Sequence, residues 1–127
     1  MSRAQRLLGA TFVALGSLHF LRPGVYEKIM PDYLPAHREL VLVSGAAEII
    51  GGWGVLFART RTPAGWWLIA TLIAIFPANV HMALHPGRYP SFTPALLWAR
   101  LPLQALVIWW ARRATRPSAD LSVSRPT

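Results

Sequence analysis

Cysteine is absent from the 127 residues, which excludes a structural disulfide, a CxxC redox pair and any thiolate metal site formed within the chain. Charge is scarce as well: charged residues make up 14% of the chain against 54% hydrophobic, too few to cover a water-facing surface on a unit this small. Acidic residues are rarer still, five against thirteen lysines and arginines, so the net charge is +8. Such a balance raises nucleic acid as a partner, because phosphate binding needs a dense basic face. Here the arginines punctuate the ends of apolar runs instead of lining one element, as in a membrane protein, and no nucleic-acid partner is expected. Glycine-rich phosphate loops, nucleophile triads and internal repeats are also missing.

What the chain does have is four apolar runs, over 7–21, 39–58, 64–84 and 95–111. A span takes about 20 residues, so the second and third fit directly, while tilt or local thinning serves the shorter first and fourth. The expected fold is therefore all-α: a four-helix transmembrane bundle over residues 1–111, with a basic, disordered tail over 112–127. Arg3 and Arg6 ahead of the first run resemble the start of a signal peptide. No clear small-residue cleavage site follows, and the run is expected to remain as the first helix.

Arg3, Arg6, Arg59, Arg61, Arg112, Arg113, Arg116 and Arg125 fall on the side of the termini, whereas Arg22, Lys28, Arg38 and Arg88 fall opposite. Positive charge stays inside, which makes both termini cytoplasmic in a multi-pass protein of the cell's inner (plasma) membrane, its first partner being the lipid bilayer. Trp66, Trp67, Trp109 and Trp110 form an inner aromatic belt. The outer loop, 22–38, carries Pro23, Pro31 and Pro35 and cannot be one helix. With Met30, Pro31, Tyr33, Leu34 and Pro35 it is too apolar for a plain solvated loop and is expected to lie over the bundle mouth as a lid.

Polar side chains at bilayer depth are costly and are usually paired or functional. Ser44 and Glu48 share one face of the second helix, and Arg100 and Gln104 one face of the fourth; the first contributes His19 and the third Asn79. Glu48 lies about 15 Å below Arg38, Arg100 about 9 Å in from Pro94, Asn79 about 10 Å from Pro86 and His19 about 6 Å from Pro23. These six residues are thus expected in one layer of the outer half, as the lining of a ligand pocket. Glu48 and Arg100 are the expected ion pair, either fixing helix register or orienting a ligand. Pro77 and Pro102 free the carbonyls of Ile73 and Trp98, as a packing kink or as ligand acceptors. The small residues Ser44, Gly45, Ala46, Ala47, Gly51, Gly52 and Gly54 permit close helix approach. His81 and His85 have metal-pair spacing but lack a neighbouring carboxylate, and no metal site is expected.

His19-Phe20, Ile29-Met30-Pro31 with Leu34-Pro35, Ser44-Gly45-Ala46-Ala47-Glu48, Pro77-Ala78-Asn79-Val80-His81-Met82 and Arg100-Leu101-Pro102-Leu103-Gln104 follow one another in an order and spacing that resembles the DoxX-like family of small four-helix membrane proteins. The resemblance runs from Gly16 to Trp110 and implies fold before activity. Members are associated with quinone-linked sulfur oxidation, with thiol and oxidative-stress complexes and, in animal relatives, with receptor assembly. Without cysteine the chain cannot itself exchange disulfides. The leading expectation is an accessory subunit of a membrane redox system that binds a quinone or lipid-like ligand through His19, Asn79, Arg100 and Gln104, with Glu48 orienting Arg100. Electron transfer then calls for a cofactor or a redox partner protein. The alternatives are a membrane chaperone or assembly factor without catalysis, and a small proton-coupled exporter using Glu48, which the strong charge bias disfavours.

Overall fold

The computed structural model describes residues 1–28, 30, 34–90 and 93–117. Among them there are helices and no strands: α1 (Arg3–Leu21), α2 (Pro23–Glu27), α3 (His37–Leu56), α4 (Arg61–Leu84) and α5 (Pro94–Thr115), with a 3-10 turn over Pro86–Arg88. By length and composition α3 and α4 are apolar enough to cross a membrane.

α1, α4 and α5 outrun their apolar stretches, and at α1 and α5 local chemistry says why. α1 starts at Arg3 because Ser2 and Gln5 form a reciprocal capping box, the Ser2 hydroxyl accepting from the Gln5 amide while the Gln5 side chain accepts from the Ser2 amide. Thr93 caps α5 by accepting from the Leu96 amide, and Pro94 sits at the first helical position, where no amide donor is needed. The same position in α2 is held by Pro23. At its other end α5 continues to Thr115, so residues 112–115 are helical and not the start of a disordered tail. The remainder of that segment, 118–127, lies outside the described residues.

α3 is the central helix and uses glycine on two faces. Gly45 and Gly52 meet α1, where Gly16 and Gly9 face them: a Cβ on Gly16 would stand 2.5 Å from the Gly45 carbonyl oxygen, and one on Gly52 would stand 2.7 Å from that of Gly9. The two pairs are seven residues apart in both helices, so the antiparallel helices touch backbone to backbone over two turns. Gly51 and Gly54 meet α4 at Leu68 and Ala64. A short turn joins α3 to α4 and is closed by the Thr60 hydroxyl donating to the Gly54 carbonyl at 2.6 Å and by Arg61 Nε donating to Val55 O at 2.8 Å. α5 packs on α4, with Gly65 admitting the buried Thr115.

One apolar core joins Leu8, Phe12, Val55, Leu68, Ile69 and Ala111; a second, at the other end, joins Met82, Ala83, Tyr89 and Leu97. At the first end Gln5 Nε2 donates to Ala114 O at 3.0 Å and the Thr62 hydroxyl to Thr115 O at 2.8 Å, tying the starts of α1 and α4 to the finish of α5. Much of the outer surface is apolar, with Val43, Ile50, Trp53, Ile73, Leu103 and Leu106 each more than half exposed.

Candidate functional site

Where Gly16 of α1 meets Gly45 of α3, no side chain holds the helices apart, and His19, one turn further along α1, is pressed onto α3. A Cβ on Gly45 would lie 2.6 Å from the His19 Cβ. Glu48 shares the face of Gly45 one turn later, so its carboxylate points at the imidazole: His19 Nδ1 stands 3.4 Å from Glu48 Oε2, and both residues are buried. The two are close without being hydrogen-bonded. His19 Nδ1 is 2.8 Å from the Leu15 carbonyl, an acceptor only, so the ring proton on that nitrogen points back along α1. Glu48 Oε2 is left buried with no hydrogen-bond partner. Buried polar atoms are nearly always satisfied, which makes this oxygen the exception in the described residues.

α2 covers the pair. The Tyr26 ring stacks on the His19 imidazole, centroids 3.8 Å apart and planes 18° from parallel. Burial raises the Tyr26 phenol above its ordinary value, and the Glu48 charge adds to the effect, so the phenol keeps its proton at neutral pH. The geometry therefore gathers an imidazole, a carboxylate and a phenol from α1, α3 and α2. Together they offer one unfilled acceptor, the second imidazole nitrogen and a flat ring face.

This arrangement corrects the expected pairing of Glu48 with Arg100. Among the described residues Glu48 makes no ion pair with Arg100; the side chain its carboxylate faces is the His19 imidazole. The two carboxylate-bearing and guanidinium-bearing helices each pack on α4 and have little contact with each other, so similar depth does not bring these side chains together. Arg100 instead reaches Met82 Sδ at 3.5 Å across the α4–α5 interface. One turn further along α5, Gln104 accepts from Asn79 Nδ2 and donates through Nε2 to the Leu72 carbonyl, so Asn79 and Gln104 do meet and are both buried. The carbonyl used is the one before Ile73, whose donor Pro77 removes. Ser44 turns back on its own helix, its hydroxyl 3.3 Å from Val41 O. The six expected pocket residues thus fall into a His19–Glu48 pair, an Asn79–Gln104 pair with Arg100 above it, and a locally bonded Ser44.

Of the expected lid, Met30 and Leu34 are half-buried and Pro35 is exposed, while Pro31 and Tyr33 lie outside the described residues. From the sequence Tyr26 is one of the apolar or amphipathic residues, with Val25, Ile29, Met30, Tyr33 and Leu34, that mark the outer loop as a lid, and nothing there gives it a place in the site. His81 and His85 stack at 4.4 Å, and His81 Nδ1 is 3.2 Å from the Tyr89 hydroxyl; no cluster of three metal-ligating side chains occurs among the described residues. A groove of about 230 Å³ between α4 and α5 is lined by Ile73, Phe76, Ala105 and Ile108 and presents no polar side chain.

No curated protein and no solved structure matches the chain. A family model described as a domain of unknown function, DUF8561, matches residues 8–115, which takes in α1 from Leu8 onward, all of α2 to α5 and both polar pairs. The chain belongs to the DUF8561 family.

Proposed function

We propose that the chain crosses the inner membrane four times with both termini cytoplasmic, as a DoxX-like protein, and acts as an accessory subunit of a membrane redox system whose outer-half site holds the head of a quinone. Support for the four spans comes from the packing of α1 and α5 on the two most apolar helices. At about 1.5 Å per residue, nineteen and twenty-two residues reach roughly 28 and 33 Å, the thickness of the hydrocarbon core. Support for the orientation comes from the end tied together by Gln5 and Thr62, where Arg3, Arg6, Arg59, Arg61, Arg112, Arg113 and Arg116 gather. Arg112 lies 4.6 Å over the Trp66 ring and Arg113 5.5 Å over that of Trp109, the mixture of arginine and tryptophan favoured at headgroup level.

The observation that carries the ligand is the bare Glu48 oxygen beside His19. A buried acceptor without a donor fits a hydroxyl of the head in its reduced, hydroquinone form, and His19 Nε2, an acceptor because the ring proton sits on Nδ1, can take a second ligand hydroxyl. A bound quinone would supply electron and proton uptake; the chain's own residues bind and orient its head and keep water out, and electrons come from a partner protein. In detergent-purified protein, solvent extraction should release quinone, and equilibrium binding of a short-tailed hydroquinone kept reduced should weaken at least tenfold, about 1.4 kcal/mol, in Glu48→Gln and in His19→Ala. Folded protein that retains no quinone and binds none overturns the reading and leaves an assembly role.

A further inference from the structure

The His19–Glu48 site already holds a phenol, and that phenol belongs to the chain. Tyr26 lies flat on the imidazole at 3.8 Å with an 18° tilt, so the site is shaped for a planar ring in that position. Its attachment is light. α2 has five residues, none of them fully buried, and so short a helix has little stability of its own. Val25 is exposed, and a Cβ on Gly24 would meet nothing within 4 Å. Only Pro23, Tyr26 and Glu27 of α2 are half-buried, on the side by which it rests against α1 and α3.

We infer that Tyr26 is a resident surrogate for the ligand: a phenol-headed molecule of the hydroquinone class displaces it, laying its own ring on His19 and donating its hydroxyl to Glu48 Oε2. This rests on the reading that the site takes a quinone-type head in its hydroxyl-bearing form, and it adds that the chain's own ring occupies the position first and must move. The chemistry selects both features. A saturated ring diol can donate to the carboxylate but cannot stack, whereas an alkylbenzene can stack but leaves the oxygen bare. An anionic head is repelled by Glu48.

The test uses the full chain in detergent micelles and a decyl-substituted hydroquinone kept reduced, with the matching cyclohexanediol as the probe that cannot stack. Tyr26→Ala, with no incumbent to displace, should bind the hydroquinone at least fivefold more tightly than the parent, and the gain should vanish in Tyr26→Ala combined with Glu48→Gln. The cyclohexanediol should gain nothing. Hydrogen exchange on the unmodified chain gives an independent readout that survives a poorly folding variant. Saturating hydroquinone should speed exchange at the amides of residues 24–28, because the displaced helix opens, whereas a ligand enclosed beneath a closed lid would slow it. Slower or unchanged exchange, or a folded Tyr26→Ala that binds no better, overturns the inference. If the parent chain still binds hydroquinone and loses it on Glu48→Gln, the proposed function survives that result; if neither chain binds either form, both fall.

Discussion

Gly16→Ala is the most direct challenge to the α1–α3 contact on which the site depends. The added Cβ would stand 2.5 Å from the Gly45 carbonyl oxygen, 2.7 Å from Ile49 Cγ1 and 3.0 Å from the Ile49 amide nitrogen. Two of these neighbours are backbone atoms that cannot rotate away. Ordinary contact begins at 3.4 Å, so the helices must part by 3.4 minus 2.5, about 0.9 Å. Overpacking of this kind costs about 1–3 kcal/mol. Helix propensity acts in the opposite sense, by about 1 kcal/mol at most, and trims the loss without reversing it across most of that range. At roughly 4 °C per kcal/mol for a chain of this length, the thermal midpoint should fall by several degrees. Native tryptophan fluorescence in micelles reads the transition, and Gly24→Ala, where a Cβ meets nothing within 4 Å, serves as the control and should leave it within about 0.5 kcal/mol. The same separation draws His19 off Glu48, so hydroquinone affinity should fall with the midpoint. A Gly16→Ala chain as stable as the parent would mean that α1 and α3 do not touch through their backbones.

Three further outcomes follow from the polar pairs and the topology. In double-mutant cycles read by thermal unfolding, His19→Gln with Glu48→Gln should couple by more than 0.5 kcal/mol, whereas Glu48→Gln with Arg100→Gln should add within about that margin. Gln104→Ala removes both the Asn79 and the Leu72 hydrogen bonds and should cost more than Asn79→Ala, which removes one and costs about 0.6 kcal/mol in a typical membrane helix pair; equal losses would mean that the Leu72 contact does not form. Because the chain has no cysteine, Ser2→Cys and Gly24→Cys each introduce a single reporter. In intact cells an impermeant maleimide should label the second from outside and reach the first only after lysis, and the reverse pattern would invert the topology.

The helices were readable because length and hydropathy are one-dimensional quantities, and the sequence prints both. Their ends were readable in part: Ser2 and Gln5 have capping-box spacing that would have started α1 at Arg3, yet the basic residues before it drew attention as flanking charge. Arg112 and Arg113 looked like the beginning of a solvated tail by composition. What keeps that turn helical is tertiary, the seat of Thr115 on Gly65 and of Arg112 on Trp66. α2 escaped for a related reason, since five residues carry no periodic pattern to detect.

The misassigned partner of Glu48 has a sharper cause. Depth along a helix places a side chain on one coordinate, and two side chains meet only if they also agree in direction around the axis. Charge complementarity supplied Arg100 as the partner and gave no information about direction. The glycines did. Gly45 and Gly52 are three before and four after Glu48, on its own face, and their seven-residue spacing recurs at Gly9 and Gly16 in the first helix alone among the other spans. A buried carboxylate at depth has to face whichever helix comes close enough to exclude lipid, and only matched small-residue faces allow backbones to touch. His19, three residues after Gly16 on the matching helix, was therefore the better-supported partner on steric grounds, even though a neutral imidazole attracts a carboxylate less than a guanidinium does. In this helical chain the spacing of glycines decides which faces of α1 and α3 meet, and His19 and Glu48 come together within what that leaves.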